Sequence, residues 1–551
     1  MQLQQKKHKK THILALGLIM IVLLLPGCIG QKEEEITLAT DPDTLVIGMD
    51  TSDSVSLDPA QAYEFSSCMA VFALYDQLVA PNPEDYSIIE PALAESWDIS
   101  ADGKTYTFHL RNDVTFHSGN KMTADDVVWS FKRLLYLDMA PDWVVLQLGL
   151  TEEGIKKIDD YTMSLTFDEA YAEFLALSCL TFTVGSVVDS KVAMEHEEKT
   201  DAYPDGDMGN TWLNDHDAGT GGFKLDHWDK LVEIVMLRND NWWKMTPGVK
   251  KVIYKDIPEP STQMLQLQEG DIDVAWDLLT DQINEIRNTQ GIRIQWTTQF
   301  NVAYVGMNMY KFEPFRDERV RDAVRWSIDY DGIINEILGG GAVKGQTFLP
   351  YGMLGHNPAM PYYRDINKAK ELLAAAGYAN GFDVEMICPN TPPANEIAVK
   401  IASDLADAGI RVTVTQMVSG EMYQVYRAQN HEMIWAGWGA DYPDPDANAK
   451  PFAHCETNED TAKIRQLAWR NMAENPELAA MVDAAALEPD QATRVGMYME
   501  IQERVLDWGP FAIVYYPLLQ VGVRTWVEGL NLSPMFYGGA ITGVYKDRVA
   551  A

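Results

Sequence analysis

Eleven residues, Gly437 to Ala447 (GWGADYPDPDA), bring together the side chains best suited to hold a charged solute. A strand pattern ends near Trp438, and Gly, Pro and Asp then force a loop. Loops that directly follow strands often carry ligand contacts. Asp441 offers a carboxylate, and Trp438 offers a flat apolar ring three residues earlier. On residue type alone, Asp441 reads first as an Asx residue capping its own loop. Asp444 and Asp446 read as turn formers.

Other reactive side chains are scattered. The five cysteines, Cys28, Cys68, Cys179, Cys388 and Cys455, show no CxxC or CxxH spacing, which argues against zinc and against a redox motif. Setting Cys28 aside, the remaining four form up to two disulfides or stay as buried thiols. Apart from His8 and His12 at the N-terminus, the ten histidines form no HxxxH or HxH cluster, and His109 and His117 are expected to flank a strand. Neither a metal site nor a cofactor is expected. GxSxG and HExxH are both missing, so a secreted hydrolase is only a remote alternative.

The bulk composition sets the class. A chain of 551 residues is too long for one core and implies two or three domains. Its hydrophobic fraction of 46% supports large cores. The net charge is -37, from 81 acids against 44 bases, and such a surface repels nucleic acid.

The first thirty residues point outside the cell. Lys6, Lys7, Lys9 and Lys10 precede an apolar run from Ile13 to Leu25, which has the length of a signal-peptide core. LLLPGC then ends at Cys28, the pattern of a lipoprotein cleavage site at which the cysteine becomes the acylated N-terminus. The alternative is an uncleaved anchor helix. The expected division is 1–27 as signal peptide and 28–43 as flexible tether, with the protein lipid-anchored at the extracellular face of the cell membrane or in the periplasm. No later apolar run approaches the roughly 18 residues of a membrane span.

Short strands alternate with amphipathic helices along the rest, which argues for an α/β architecture. Strands are expected at Thr44–Met49, 231–237, 302–309, 382–387, 410–417 and 511–518. Thr123 caps a helix, with Asp126 three residues on. Ser261 caps another that ends at Glu269. Helices are also expected at 317–328, 396–408 and 491–508. The loop 202–222, rich in Gly, Asp and Asn, marks a boundary. Arg319, Arg321 and Arg325 are expected at the surface or in salt bridges.

Seven segments in order carry a resemblance. They are LDPA at 57–60, LAESWDISADGKTYTFHLRNDVTFHSGNKMTADDVVWSFKR at 93–133, GTGGFKL at 219–225, LQEGDIDV at 267–274, PFRDERVRDAVRWSIDYDGII at 314–334, AKELLAAAGY at 369–378 and GWGADYPDPDA at 437–447. With these the chain resembles family 5 of the extracellular solute-binding proteins, the dipeptide-, oligopeptide- and nickel-binding components of ABC importers.

The resemblance implies a two-lobed periplasmic-binding-protein-like (Venus-flytrap) α/β fold with an extra domain inserted in the first lobe. The first lobe would comprise 44–87, 209–299 and 516–551, the inserted domain 88–208, and the second lobe 300–515, with strands crossing near Phe300 and Leu518. It further implies that Asp441 pairs with a peptide's N-terminal ammonium, alongside Trp438, Gly439 and Ala440, with Tyr63, Glu64 and Phe65 at the cleft edge. The expected function is capture of peptides by a monomer that delivers them to an ABC permease, with no enzymatic activity. The same fold holding a metal chelate or an oligosaccharide is the alternative. One departure stands out. Where dipeptide binders carry an arginine for the ligand's carboxylate, this chain has Asn395 and Glu396.

Overall fold

Phe511–Arg524 (FAIVYYPLLQVGVR) is apolar or β-branched along most of its fourteen residues, the composition of a strand covered on both faces. It runs antiparallel to Asn301–Met307 over residues 511–515, then to Ile292–Thr298 over 518–524. Pro517 stands at the change of partner. Proline has no N–H to donate, so a ladder bond is missing there in any case. One strand thereby joins two half-sheets into a twelve-stranded sheet.

The computed structural model describes residues 41–462, 464–535 and 541–547. Cys28, the expected signal segment and most of the expected tether lie outside them. On one side of the long strand the order is Asn301–Met307, Met433–Gly439, Phe382–Pro389 and Ile410–Met417. On the other it is Val274–Ala275, Thr44–Met49, Lys251–Asp256, Glu233–Arg238 and Phe223–Asp229. Ala342–Lys344 also pairs with the long strand. Within 88–208, Ala94–Ile99, Thr105–Leu110, Thr162–Thr166 and Ile155–Asp159 form a separate antiparallel sheet. The hairpin between its first two strands turns at Gly103, whose φ of +75° suits glycine.

Helix starts follow capping chemistry. Thr123 and Asp126 close a capping box on Ala124–Leu137. The other expectation fails: Ser261 lies inside Pro260–Glu269, which Pro260 opens after Glu259. Arg319 is exposed and paired with Asp317, and Arg325 is buried but pairs with Asp322 at 2.7 Å, whereas Arg321 is buried with no carboxylate within 4 Å among the described residues. Arg321 donates to Phe315 O and Trp508 O, and Arg325 donates to Phe511 O. They tie Glu318–Ser327 to the start of the long strand. Cys68, Cys179, Cys388 and Cys455 are buried thiols and form no disulfide. Among the described residues no helix is long and apolar enough to cross a membrane.

Candidate functional site

The strand Met433–Gly439 pairs residue for residue with Asn301–Met307, setting Gly439 opposite Asn301 and Trp438 opposite Val302. Ala440 donates its N–H to Phe300 O at 3.1 Å, which fixes where the chain leaves the sheet. Asp441 follows and is 5% exposed. Tyr63 donates its hydroxyl to Asp441 Oδ1 at 3.2 Å, and Trp143 Nε1 donates to the Tyr63 oxygen at 3.3 Å. Three distant stretches of chain therefore meet at one carboxylate.

No cation lies within 4 Å of that carboxylate among the described residues. Burial raises its pKa from 3.8 to about 7, and the Tyr63 hydrogen bond acts only partly against this. A buried carboxylate without a countercharge is costly. The site can lower that cost by accepting a positive group, or by holding a proton until one arrives.

Asp441 lines a cavity of about 480 Å³ with Tyr63, Trp143, Asn301, Trp438 and Gly439. The Trp438 indole is held by hydrogen bonds from Nε1 to Ala447 O at 3.1 Å and Asn448 Oδ1 at 3.2 Å. Asn301 Oδ1 is buried and accepts no hydrogen bond. A second cavity of about 310 Å³ shares Asn301, Trp438 and Gly439 and continues to Pro389, Ala394 and Tyr515. A third, about 700 Å³, shares Trp143 and Gln466 with the Asp441 cavity and extends to Asp446 and Lys450.

Beneath the loop, Asp444 and Asp446 are buried side chains and more than turn formers. Arg494 grips both Asp444 oxygens at 2.6 and 2.7 Å. Lys450 pairs with Asp446 at 3.1 Å. This clamp sets the loop geometry under Asp441.

The structure brings together Tyr63, Trp438, Gly439 and Asp441. Ala440 is fully buried behind them and does not line the cavity. Glu64 precedes the helix Phe65–Leu74, and the Phe65 ring faces Trp276 at 6.5 Å. Neither Glu64 nor Phe65 lines the Asp441 cavity. GTGGF packs against the end of that helix: a Cβ on Gly219 or Gly221 would collide with Leu74 O. Sequence reasoning misses Trp143, Asn301, Tyr423, Arg427 and Arg470, which also line the cavity. Only Asn301 had a local signal, next to Phe300 at the strand crossing. Among the described residues, no three His, Cys, Asp or Glu side chains are grouped so as to hold a metal ion.

A two-lobed α/β fold with a polar cavity against one strand end defines the class of solute-binding proteins. The model of the bacterial extracellular solute-binding proteins, family 5, matches residues 89–460, and the chain belongs to that family. The probable D,D-dipeptide-binding periplasmic protein DdpA of Escherichia coli K12 is 27% identical over 501 residues, covering 90% of this chain and 93% of the relative. The dipeptide-binding protein of the same organism is 26% identical over 551 residues, covering 96% and 97%. Among solved structures, the ABC transporter-associated periplasmic binding protein DppA from Helicobacter pylori, in complex with the peptide STSA, superposes with a TM-score of 0.75. It is 28% identical, covering 92% of this chain and 98% of that one. HbpA2 from Haemophilus parasuis gives a TM-score of 0.77 at 25% identity, covering 92% and 100%. As a member of this family the chain is a binding protein that works outside the cytoplasm, and it is not an enzyme.

Proposed function

We propose that this chain captures peptides with a free N-terminus and delivers them to an ABC permease. The observation that carries this reading is Asp441: a buried carboxylate, free of any cation within 4 Å among the described residues, facing a cavity large enough for a short peptide. A peptide ammonium supplies the missing countercharge through charge-assisted hydrogen bonds. Asn301 Oδ1 adds an unused acceptor beside it. Relatives named for dipeptides and a neighbour solved with a peptide support the same cargo.

In this reading the lobes are 44–87, 209–299 and 516–551 against 300–515, with 88–208 inserted in the first. In support, 88–208 contributes no described strand to the twelve-stranded sheet. The crossings at 298–301 and 517–518 act as the hinge. Tyr63 and Trp143 from one side meet Asp441 from the other, so closure assembles the site. The mature chain is tethered by acyl groups on Cys28.

Affinity for trialanine and its N-acetyl form tests the cargo. The protein is expected to favour the free amine, and Asp441→Asn to abolish that preference at a cost of about 2–5 kcal/mol. Equal binding of both peptides by the unaltered protein overturns the assignment. For the anchor, Cys28→Ser is expected to release the protein from membranes on fractionation, and retention there points instead to an uncleaved helix.

A further inference from the structure

The cavity that holds Asp441 is also lined by Arg427 and Arg470. Elsewhere on the surface Arg364 and Arg411 are paired with the carboxylates of Asp407 and Asp383. Arg427 and Arg470 have none within 4 Å among the described residues. Among the described residues, Arg470 Nε is buried and donates to nothing, and the guanidinium's Nη2 donates to Gln466 Oε1 at 3.5 Å. A planar fork of five donors is therefore almost unused. Arg427 lies over the Tyr423 ring at 5.7 Å, and Arg470 over the Tyr426 ring at 5.4 Å. Burial raises the Tyr423 pKa, and the positive fields of both arginines act against that rise.

The placement follows from local structure. Tyr423 and Arg427 stand four residues apart on the helix Ser419–Arg427, so they share a face. Arg470 ends the short helix Leu467–Arg470, and Leu467 and Gln466 complete the same wall. The rings lie close to the guanidiniums without using their N–H donors. An unsatisfied buried donor is a destabilising feature unless a ligand completes it.

We propose that Arg470, assisted by Arg427, is an anion subsite for a carboxylate of the bound peptide. The cavity then takes a solute carrying both charges, with its ammonium on Asp441 and a carboxylate on the arginines. This rests on the peptide reading of Asp441 and adds to it. Such a solute brings no net charge into the cleft, and each buried charge meets its opposite.

Calorimetric titration with trialanine, trialanine amide and Ala-Glu-Ala amide tests it. The unaltered protein should bind at least one carboxylate-bearing peptide about tenfold more tightly than trialanine amide. Which of the two is favoured identifies the carboxylate as terminal or side-chain. Arg470→Gln should erase that preference while keeping the preference for a free over an acetylated N-terminus. Arg427→Gln, at an exposed position, should reduce it by a smaller factor. Equal binding of all three peptides, or an undiminished preference in Arg470→Gln, overturns the proposal. If no alanine peptide binds, the reading of Asp441 fails separately. The arginines are then judged by acetate, followed through the Arg470 Nε–H resonance assigned by its loss in Arg470→Gln. A saturable shift that chloride at equal ionic strength does not cause supports the subsite, and an unmoved resonance overturns it.

Discussion

At the scale of single residues, Asp441 makes the site responsive to pH. Burial raises its carboxyl to about 7, against 3.8 in an open chain. Because the folded value is raised, the protonated carboxyl is the form that burial favours. Its contribution to stability is fully present below 3.8 and is lost as pH rises through about 7. A cationic ligand needs the ionised form, so binding and protonation compete. Affinity for trialanine should fall about tenfold between pH 6 and pH 5, and Asp441→Asn should flatten the profile. Titration calorimetry in buffers of different ionisation heat would also register proton release on binding near pH 6. A flat profile for the unaltered protein would contradict this account.

Elements decide whether that residue is held in place. The clamp of Arg494 on Asp444 joins the helix Gln491–Trp508 to the loop beneath the site. Both partners are buried, so removing one leaves an uncompensated charge. Arg494→Met should cost about 3–5 kcal/mol, read as a lower urea midpoint with an unchanged slope. This clamp also shows what the sequence could reveal. The helix itself is legible, since Gln491–Trp508 matches its expected span at both ends. The strand Ile410–Met417 is equally plain. Such signals are local: period, cap and breaker lie within a few residues. Asp444 has no local mark distinguishing it from a turn former, because its partner lies fifty residues away. Arg321 and Arg325 look like surface or salt-bridge charges, and their backbone contacts have no local mark for the same reason. Their carbonyl acceptors include Trp508 and Phe511, which only the packed helix brings near. The approach of Asp441 to Tyr63 spans 378 residues, and only the family resemblance anticipated it. Trp143, on a four-residue helix without periodicity, had no signal of any kind.

At the scale of the whole molecule, one strand is common to both halves of the sheet. Phe511–Arg524 pairs with Asn301–Met307 and with Ile292–Thr298, so the two halves lose their shared ladder if the strand detaches. Residues 44–547 should therefore unfold in one transition, with calorimetric and van't Hoff enthalpies in agreement. Two resolved transitions would show that the halves are independent.

The same strand sets when the two half-sheets can be joined. It occupies the last tenth of the sequence, yet it is the piece on which both half-sheets are built. A polypeptide emerging from its N-terminus has every other strand of the large sheet exposed before this one arrives. Until then each half lacks one of its partners. The late position of these fourteen residues thus leaves the ladder that links the two halves to be completed only when nearly all of the chain has been made.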